Sequence, residues 1–162
     1  MRRSVLLLLV ALVLSGCASQ REAQVERGWI DRAVLMKPEH HQFKERYDTV
    51  QVEQQFVQMI RNVADSVSTI VFLGTWCPDS RREVPRFLKT ADDAGIPQER
   101  IKLYALDRSK ESDDGLSKQY HIERIPTFIF LKRGEEIGRI TEVPETTIEQ
   151  DMLMILAKAQ SK

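Results

Sequence analysis

Thr69-Ile70-Val71-Phe72-Leu73-Gly74-Thr75-Trp76-Cys77-Pro78-Asp79-Ser80 joins an unbroken apolar run to a cysteine and a proline. Its first five residues are too few for a helix and show no polar alternation, as expected of a strand covered on both faces. Pro78 suits the first turn of a helix, where its missing N–H is not needed. Val84, Phe87, Leu88, Ala91 and Ala94 follow at steps of three and four, as far as Gly95, which suits a C-terminal stop. Pro85 lies inside that helix and is expected to kink it. Cys77 therefore sits where a buried strand passes into a helix. Unpaired N–H groups and the helix dipole favour an anion there, which makes a thiol more acidic and more nucleophilic. Ser80 can offer its hydroxyl and backbone N–H to the sulfur; Arg81 and Arg82 add positive charge, and Asp79 opposes it. Taken alone, Cys77 also reads as a small apolar core residue.

Regular patterning extends outward from this junction. Val52, Phe56, Met59, Ile60 and Val63 mark an amphipathic helix over 50–65, broken by Ser66-Val67-Ser68. Ile101–Leu106 reads as a strand, and Asp113–Tyr120 as a short helix. Thr127–Leu131 is a second strong strand. Lys132-Arg133-Gly134-Glu135 is a hairpin turn, with glycine where a positive φ is useful, and Glu136–Thr141 is the returning strand. Thr146-Thr147-Ile148-Glu149 has the form of a capping box before a helix presenting Ile148, Met152, Ile155, Leu156 and Ala159. The order is helix, strand, helix, strand, helix, strand, strand, helix, which predicts an α/β fold with a βαβ unit and a terminal hairpin. Upstream, Trp29, Ile30, Ala33, Val34, Leu35 and Met36 predict one short helix over 28–38, docked on the domain and ended by Pro38. His40 and His41 read as solvated loop residues, because neighbours on a chain point in different directions and His121 is the only other histidine.

The chain has 162 residues, enough for one domain of ordinary size. Hydrophobic residues make up 42% and charged residues 30%, which is globular and not disordered. Lys plus Arg is 24 and Asp plus Glu is 24, which argues against a broad basic surface for nucleic acid. The cysteines are Cys17 and Cys77, too few for a disulfide-built scaffold, and no Cys/His cluster has zinc spacing. No metal and no cofactor are expected.

Met1-Arg2-Arg3-Ser4 is a basic start, followed by ten apolar residues from Val5 to Leu14. A spanning helix needs about 20, whereas a secretory signal core is this short. Leu14-Ser15-Gly16-Cys17 resembles the lipobox of bacterial lipoproteins. That resemblance implies cleavage before Cys17, a diacylglycerol on its sulfur and an acylated amine, giving the two or more chains that stable anchoring requires. Ala18, where aspartate would favour inner-membrane retention by enterobacterial sorting rules, implies an outer-membrane anchor facing the periplasm. Removing residues 1–16 takes away Arg2 and Arg3 and no acid, so 22 basic groups face 24 acidic ones, a net of −2. The expected organisation is a signal peptide over 1–16, a lipidated tether and extension over 17–46, and one domain over 47–162.

Trp76-Cys77-Pro78-Asp79-Ser80 resembles the active-site stretch of thioredoxin-fold proteins, Trp-Cys-x-x-Cys. Pro85, eight residues after the cysteine, resembles the family's kinking proline, and Ile125-Pro126-Thr127 its cis-proline loop facing the active-site sulfur. Lys132-Arg133-Gly134-Glu135 resembles the turn between the family's last two strands. The resemblance implies a thioredoxin-like three-layer α/β/α sandwich with a mixed central sheet. It implies Cys77 as nucleophile, Ser80 at the second motif position, and a substrate lying along Ile125 and Pro126 against Trp76 and Pro78. Two departures bear on the activity. Ser80 stands where a resolving cysteine would be, so the internal step of a dithiol cycle is missing. Val71 stands where thioredoxins commonly bury an acid that assists proton transfer.

What remains is a monothiol oxidoreductase-like site: Cys77 attacks a disulfide or sulfenic acid of an exported protein, and an external thiol resolves the mixed disulfide. The alternative is a non-catalytic envelope lipoprotein using the fold as a binding platform. Monothiol glutaredoxin-like chemistry lacks a dedicated glutathione-binding signature here. A peroxiredoxin would carry threonine three residues before the nucleophile, where this chain has Gly74.

Overall fold

In the computed structural model, which describes residues 25–160, the apolar run at 69–73 lies in β2 (Val67–Leu73), the middle strand of a five-stranded sheet. The basic start, the apolar run at 5–14, Cys17 and the tether up to residue 24 lie outside the described residues. Around β2 the order is β1-β3-β2-β4-β5, with β1 (Gly28–Ile30), β3 (Ile101–Ala105), β4 (Thr127–Lys132) and β5 (Glu135–Thr141). β2 runs parallel to β3 and antiparallel to β4; β1 and β5 close the edges in antiparallel pairing. The sheet is mixed, the fold is thioredoxin-like α/β, and helices flank the sheet as expected.

Side-chain alternation along β2 sorts the core into two clusters. Val71 and Leu73 point to one face with Leu103, Phe128 and Phe130, where helices α1 (Arg32–Leu35), α2 (His41–Thr49), α3 (Gln54–Val63), α4 (Pro78–Asp93) and α6 (Ile148–Gln160) pack. Ile70 and Phe72 point to the other with Tyr104, Ile129, Leu131, Ile125 and Cys77, covered by α5 (Leu116–Gln119), Trp76, Tyr120 and Ile122. Burial on both faces is why the strand reads as continuous apolar sequence.

Several elements differ from the sequence expectation. The predicted helix over 28–38 is instead β1, the single turn α1 and a 3-10 turn at Pro38–His40. Trp29 and Ile30 pair with Tyr104 and Leu103 of β3, and Asp31 caps α1 by accepting from the Ala33 N–H at 2.7 Å. His40 is not solvated. It is 4% exposed, its Nε2 lies 3.2 Å from Glu26 Oε1, and its ring meets Phe43 edge-on; His41 is exposed as expected. The helix expected over 50–65 begins only at Gln54, because Val50 is extended and ends the separate helix α2. α4 runs through Pro85 as one helix. The cap of α6 is displaced by one residue: Thr147 Oγ1 accepts from the Gln150 N–H at 3.3 Å. Glu149 turns inward, fully buried, and receives the Arg86 guanidinium at 3.0 and 3.1 Å. At the β4–β5 turn Arg133 and Gly134 both have positive φ, 55° and 85°, as a two-residue hairpin requires.

Candidate active site

Cys77 is the N-cap of α4, with extended backbone (φ −82°, ψ 124°), and Pro78 opens the helix. Its N–H donates to the Gly74 carbonyl at 3.0 Å and its carbonyl receives the Arg81 N–H at 3.1 Å, which holds the residue at the strand–helix corner. The residue is 6% exposed, and its thiol donates to the Ile125 carbonyl at 3.5 Å. The Ile125–Pro126 bond is cis, and the loop that carries it meets the thiol through the Ile125 carbonyl. The loop carrying them is anchored on both sides: Thr127 Oγ1 donates to the Arg124 carbonyl at 2.7 Å and the Glu142 N–H to the Pro126 carbonyl at 2.6 Å.

Among the described residues, Ser80 makes no hydrogen bond to the sulfur, the contact the sequence allowed. Its hydroxyl oxygen accepts from the Gly74 N–H at 3.1 Å, and the residue is fully buried. Gly74 lies just past the end of β2, so its buried N–H needs an acceptor elsewhere. Ser80 supplies it, bracing the loop before the cysteine. Gly74 itself permits close approach: a Cβ there would lie 2.8 Å from Ile125 Cδ1 and 2.8 Å from Trp76 Nε1. Contacts that short would force the Trp76 ring or the Ile125 side chain to shift, so a glycine lets both converge on the corner. Val71, at the position of the family's acid, is fully buried on the helix-covered face among apolar side chains.

Trp76 is half-buried beside the cysteine, its indole N–H donating to the Leu106 carbonyl at 3.0 Å. Arg108 lies 4.8 Å above its ring. Pro78 is exposed. The two arginines expected to add positive charge differ. Arg82 is engaged by Asp79 at 2.7 Å and Glu83 at 2.6 Å, and the Glu83 hydrogen bond holds its guanidinium above the ordinary arginine value. Arg81 donates through Nε to the Thr75 carbonyl at 2.8 Å and, among the described residues, has no carboxylate within ion-pair distance. In the loop after β3, hydrogen bonds from Ser109, with help from Arg27, hold the Asp107 carboxyl below the usual carboxylate range. Arg108 and the Leu106 carbonyl carried no sequence signal; Gly74 did, as a glycine directly after a buried strand. Chemically, the corner offers one thiol against a cis-proline loop; among the described residues Cys77 is the one cysteine. Cys17, the expected lipidation residue, lies outside the described residues.

A family model described as thioredoxin matches residues 33–158. Thioredoxin H2-2 of Oryza sativa subsp. japonica is 27% identical over 92 residues, which cover 57% of this chain and 64% of that protein. The match thus spans less than two thirds of that relative's length. Thioredoxin-1 of Caenorhabditis elegans is 26% identical over 101 residues, covering 62% of this chain and 83% of that one. Among solved structures, a protein of unknown function from Pseudomonas aeruginosa superposes with a TM-score of 0.53 at 16% identity, over 75% of this chain and 81% of that chain. That likeness bears on the fold alone.

Proposed function

We propose that this chain, which belongs to the thioredoxin family, uses Cys77 as a single nucleophilic thiol in exchange with proteins of the bacterial envelope. One observation carries the reading: Cys77 stands at the N-cap position of α4, and its thiol meets the carbonyl of Ile125 in the cis-proline loop at 3.5 Å. The Cys77 thiolate attacks one sulfur of a partner disulfide. The Cys77–partner bond forms as the partner's own S–S bond breaks, and the second partner sulfur leaves as a thiolate with the electron pair. An external thiol then attacks the partner sulfur of the mixed disulfide, releasing Cys77 as its thiolate, and a second external thiol displaces the first from the partner, leaving the partner as a dithiol and the two external thiols as one disulfide. Ser80 cannot resolve the intermediate, and its hydroxyl is committed to Gly74. Trp76, Pro78, Ile125 and Pro126 form the contact surface for the partner.

The second reading, a binding platform without catalysis, draws support from the depth of Cys77 and the bond its thiol already makes to Ile125. Reaction of the folded protein with dithiodipyridine, followed by intact mass, separates the two. A single adduct formed readily and absent in Cys77→Ser supports exchange, and mixed disulfides trapped from envelope fractions should disappear in the same variant. An unreactive thiol in the folded protein sinks exchange and leaves the platform. Ser80→Cys should gain insulin-reductase activity if the corner is otherwise competent.

The membrane part of the proposal rests on sequence: the basic start, the short apolar core and Leu14-Ser15-Gly16-Cys17 support a lipid-anchored protein, placed by Ala18 at the outer membrane facing the periplasm. Labelling with a fatty-acid analogue should mark the wild type and fail with Cys17→Ala; equal labelling overturns the anchor.

A further inference from the structure

α2 packs against α4, and beside the start of α4 lies a shallow, open groove of about 430 Å³ lined by Gln42, Arg46, Pro78, Arg81 and Arg82. Three of these five residues are arginines and none is acidic. Arg82 is already paired with Asp79 and Glu83. Arg46 and Arg81 are not: among the described residues, neither has a carboxylate within ion-pair distance. Arg81 commits only Nε, to the Thr75 carbonyl, which leaves the terminal nitrogens of its fork free. Arg46 Nε is buried and meets no acceptor. A buried guanidinium N–H ordinarily finds one, because leaving it unmet forfeits its hydration without return. Two forks with spare donors match the planar, two-oxygen geometry of a carboxylate. The groove reaches Pro78, the residue next to the nucleophile, and on the Trp76 side of Cys77 the exposed Arg108 adds a further cation.

We propose that this groove receives an aspartate or glutamate of the partner polypeptide, close in sequence to the cysteine that exchanges with Cys77. The inference rests on the exchange reading of Cys77 and adds its substrate class: proteins whose reactive cysteine has acidic neighbours. Arg46 is contributed by α2, so the preference is built by the segment ahead of β2.

Two otherwise identical peptides test it, each with one cysteine activated as its thiopyridyl disulfide, flanked by glutamates in one and glutamines in the other. Cys77 attacks the peptide sulfur, the Cys77–peptide bond forms as the peptide–pyridyl bond breaks, and thiopyridone leaves with the electron pair, its absorbance reporting the rate. The glutamate peptide should react about fivefold faster at low salt. The ratio should approach one at about 1 M salt, where the Debye length is about 3 Å. It should also approach one in Arg46→Gln, fall below one in Arg46→Glu, and be intermediate in Arg81→Lys, which keeps the charge and loses the fork. Equal wild-type rates with both peptides reacting overturn the groove and leave the exchange reading standing. If neither peptide reacts, the exchange reading falls, and equilibrium binding of serine versions of both peptides decides the groove: an Arg46-dependent preference for glutamate upholds it, no preference overturns it. An Arg46-dependent rate with oxidised glutathione, beside equal peptide rates, overturns the polypeptide in favour of a small carboxylate-bearing thiol.

Discussion

The two faces of the sheet are built differently. One carries α1, α2, α3, α4 and α6 over Val71, Leu73, Phe128 and Phe130. The other has the single turn α5, with Trp76, Tyr120 and Ile122, over Ile70, Phe72 and Ile129. Cys77 belongs to the thin side, although the helix it caps is anchored in the thick one. The division has a physical logic. On the proposed exchange reading, the thiol benefits from a cover that opens cheaply, while the corner holding it needs a stiff support. Phe87 of α4, its ring tilted against Phe128 at 5.0 Å and edge-on to Phe130 at 6.2 Å, is part of that support.

Substitutions on each face put this asymmetry at risk, in falling order of effect. Phe87→Ala, on the thick face, should lower unfolding stability by about 4 kcal/mol; a loss under about 1 kcal/mol in urea titration would mean that the face is not the structural support. Glu149→Ala should cost about 2 kcal/mol, because a fully buried carboxylate is replaced and the half-buried Arg86 loses its hydrogen-bonded partner, keeping only the more distant Glu53 at 3.9 Å. A double-mutant cycle with Arg86→Ala should then show coupling, and additive losses would remove the pair from the account.

Asp92→Asn tests how α1 and α2 are tied to α4. Burial pushes the Asp92 carboxyl up, but hydrogen bonds from Arg32 and Tyr47 outweigh it and hold it below the ordinary carboxylate value. A depressed carboxylate contributes stability that is complete above its unfolded value, near pH 4, and is lost as pH falls through the folded one. The substitution should cost about 1.5 kcal/mol at neutral pH and flatten the acid limb of the stability curve below about pH 4; an unchanged acid limb would refute it. Smallest in stability is Leu116→Ala on the thin face, at about 1 kcal/mol. Its larger effect should be kinetic, a severalfold faster reaction of Cys77 with dithiodipyridine through local opening. A loss matching that of Phe87→Ala, with no change in thiol reactivity, would erase the distinction between the faces.

Legibility followed the reach of each signal. β2, α4, the hairpin at Arg133-Gly134 and α6 come from periodicity and turn chemistry within a few residues, and these were readable. α2 was not: it turns Phe43 and Tyr47 inward from an otherwise polar run, and is held by packing on α4 and the Tyr47–Asp92 hydrogen bond at 2.6 Å. His40 read as solvated because its partner, Glu26, arrives from β1's approach to the sheet. At the site, Cys77, Pro78, Ile125 and Pro126 were legible as a constellation, while Arg46 and Arg108 carried no local signal.

The chain's own order of residues determined that a buried strand meets a helix at Cys77, that Ser80 offers no second sulfur, and that a proline stands directly before the second strong strand. These depend on neighbours along the chain and on residue chemistry. Tertiary structure alone decided where the Ser80 hydroxyl goes, which arginines stay unpaired and which face of the sheet stays thin. Each of these depends on which buried donors the strand ladder leaves unmet, and on which helices, distant in sequence, arrive to cover them.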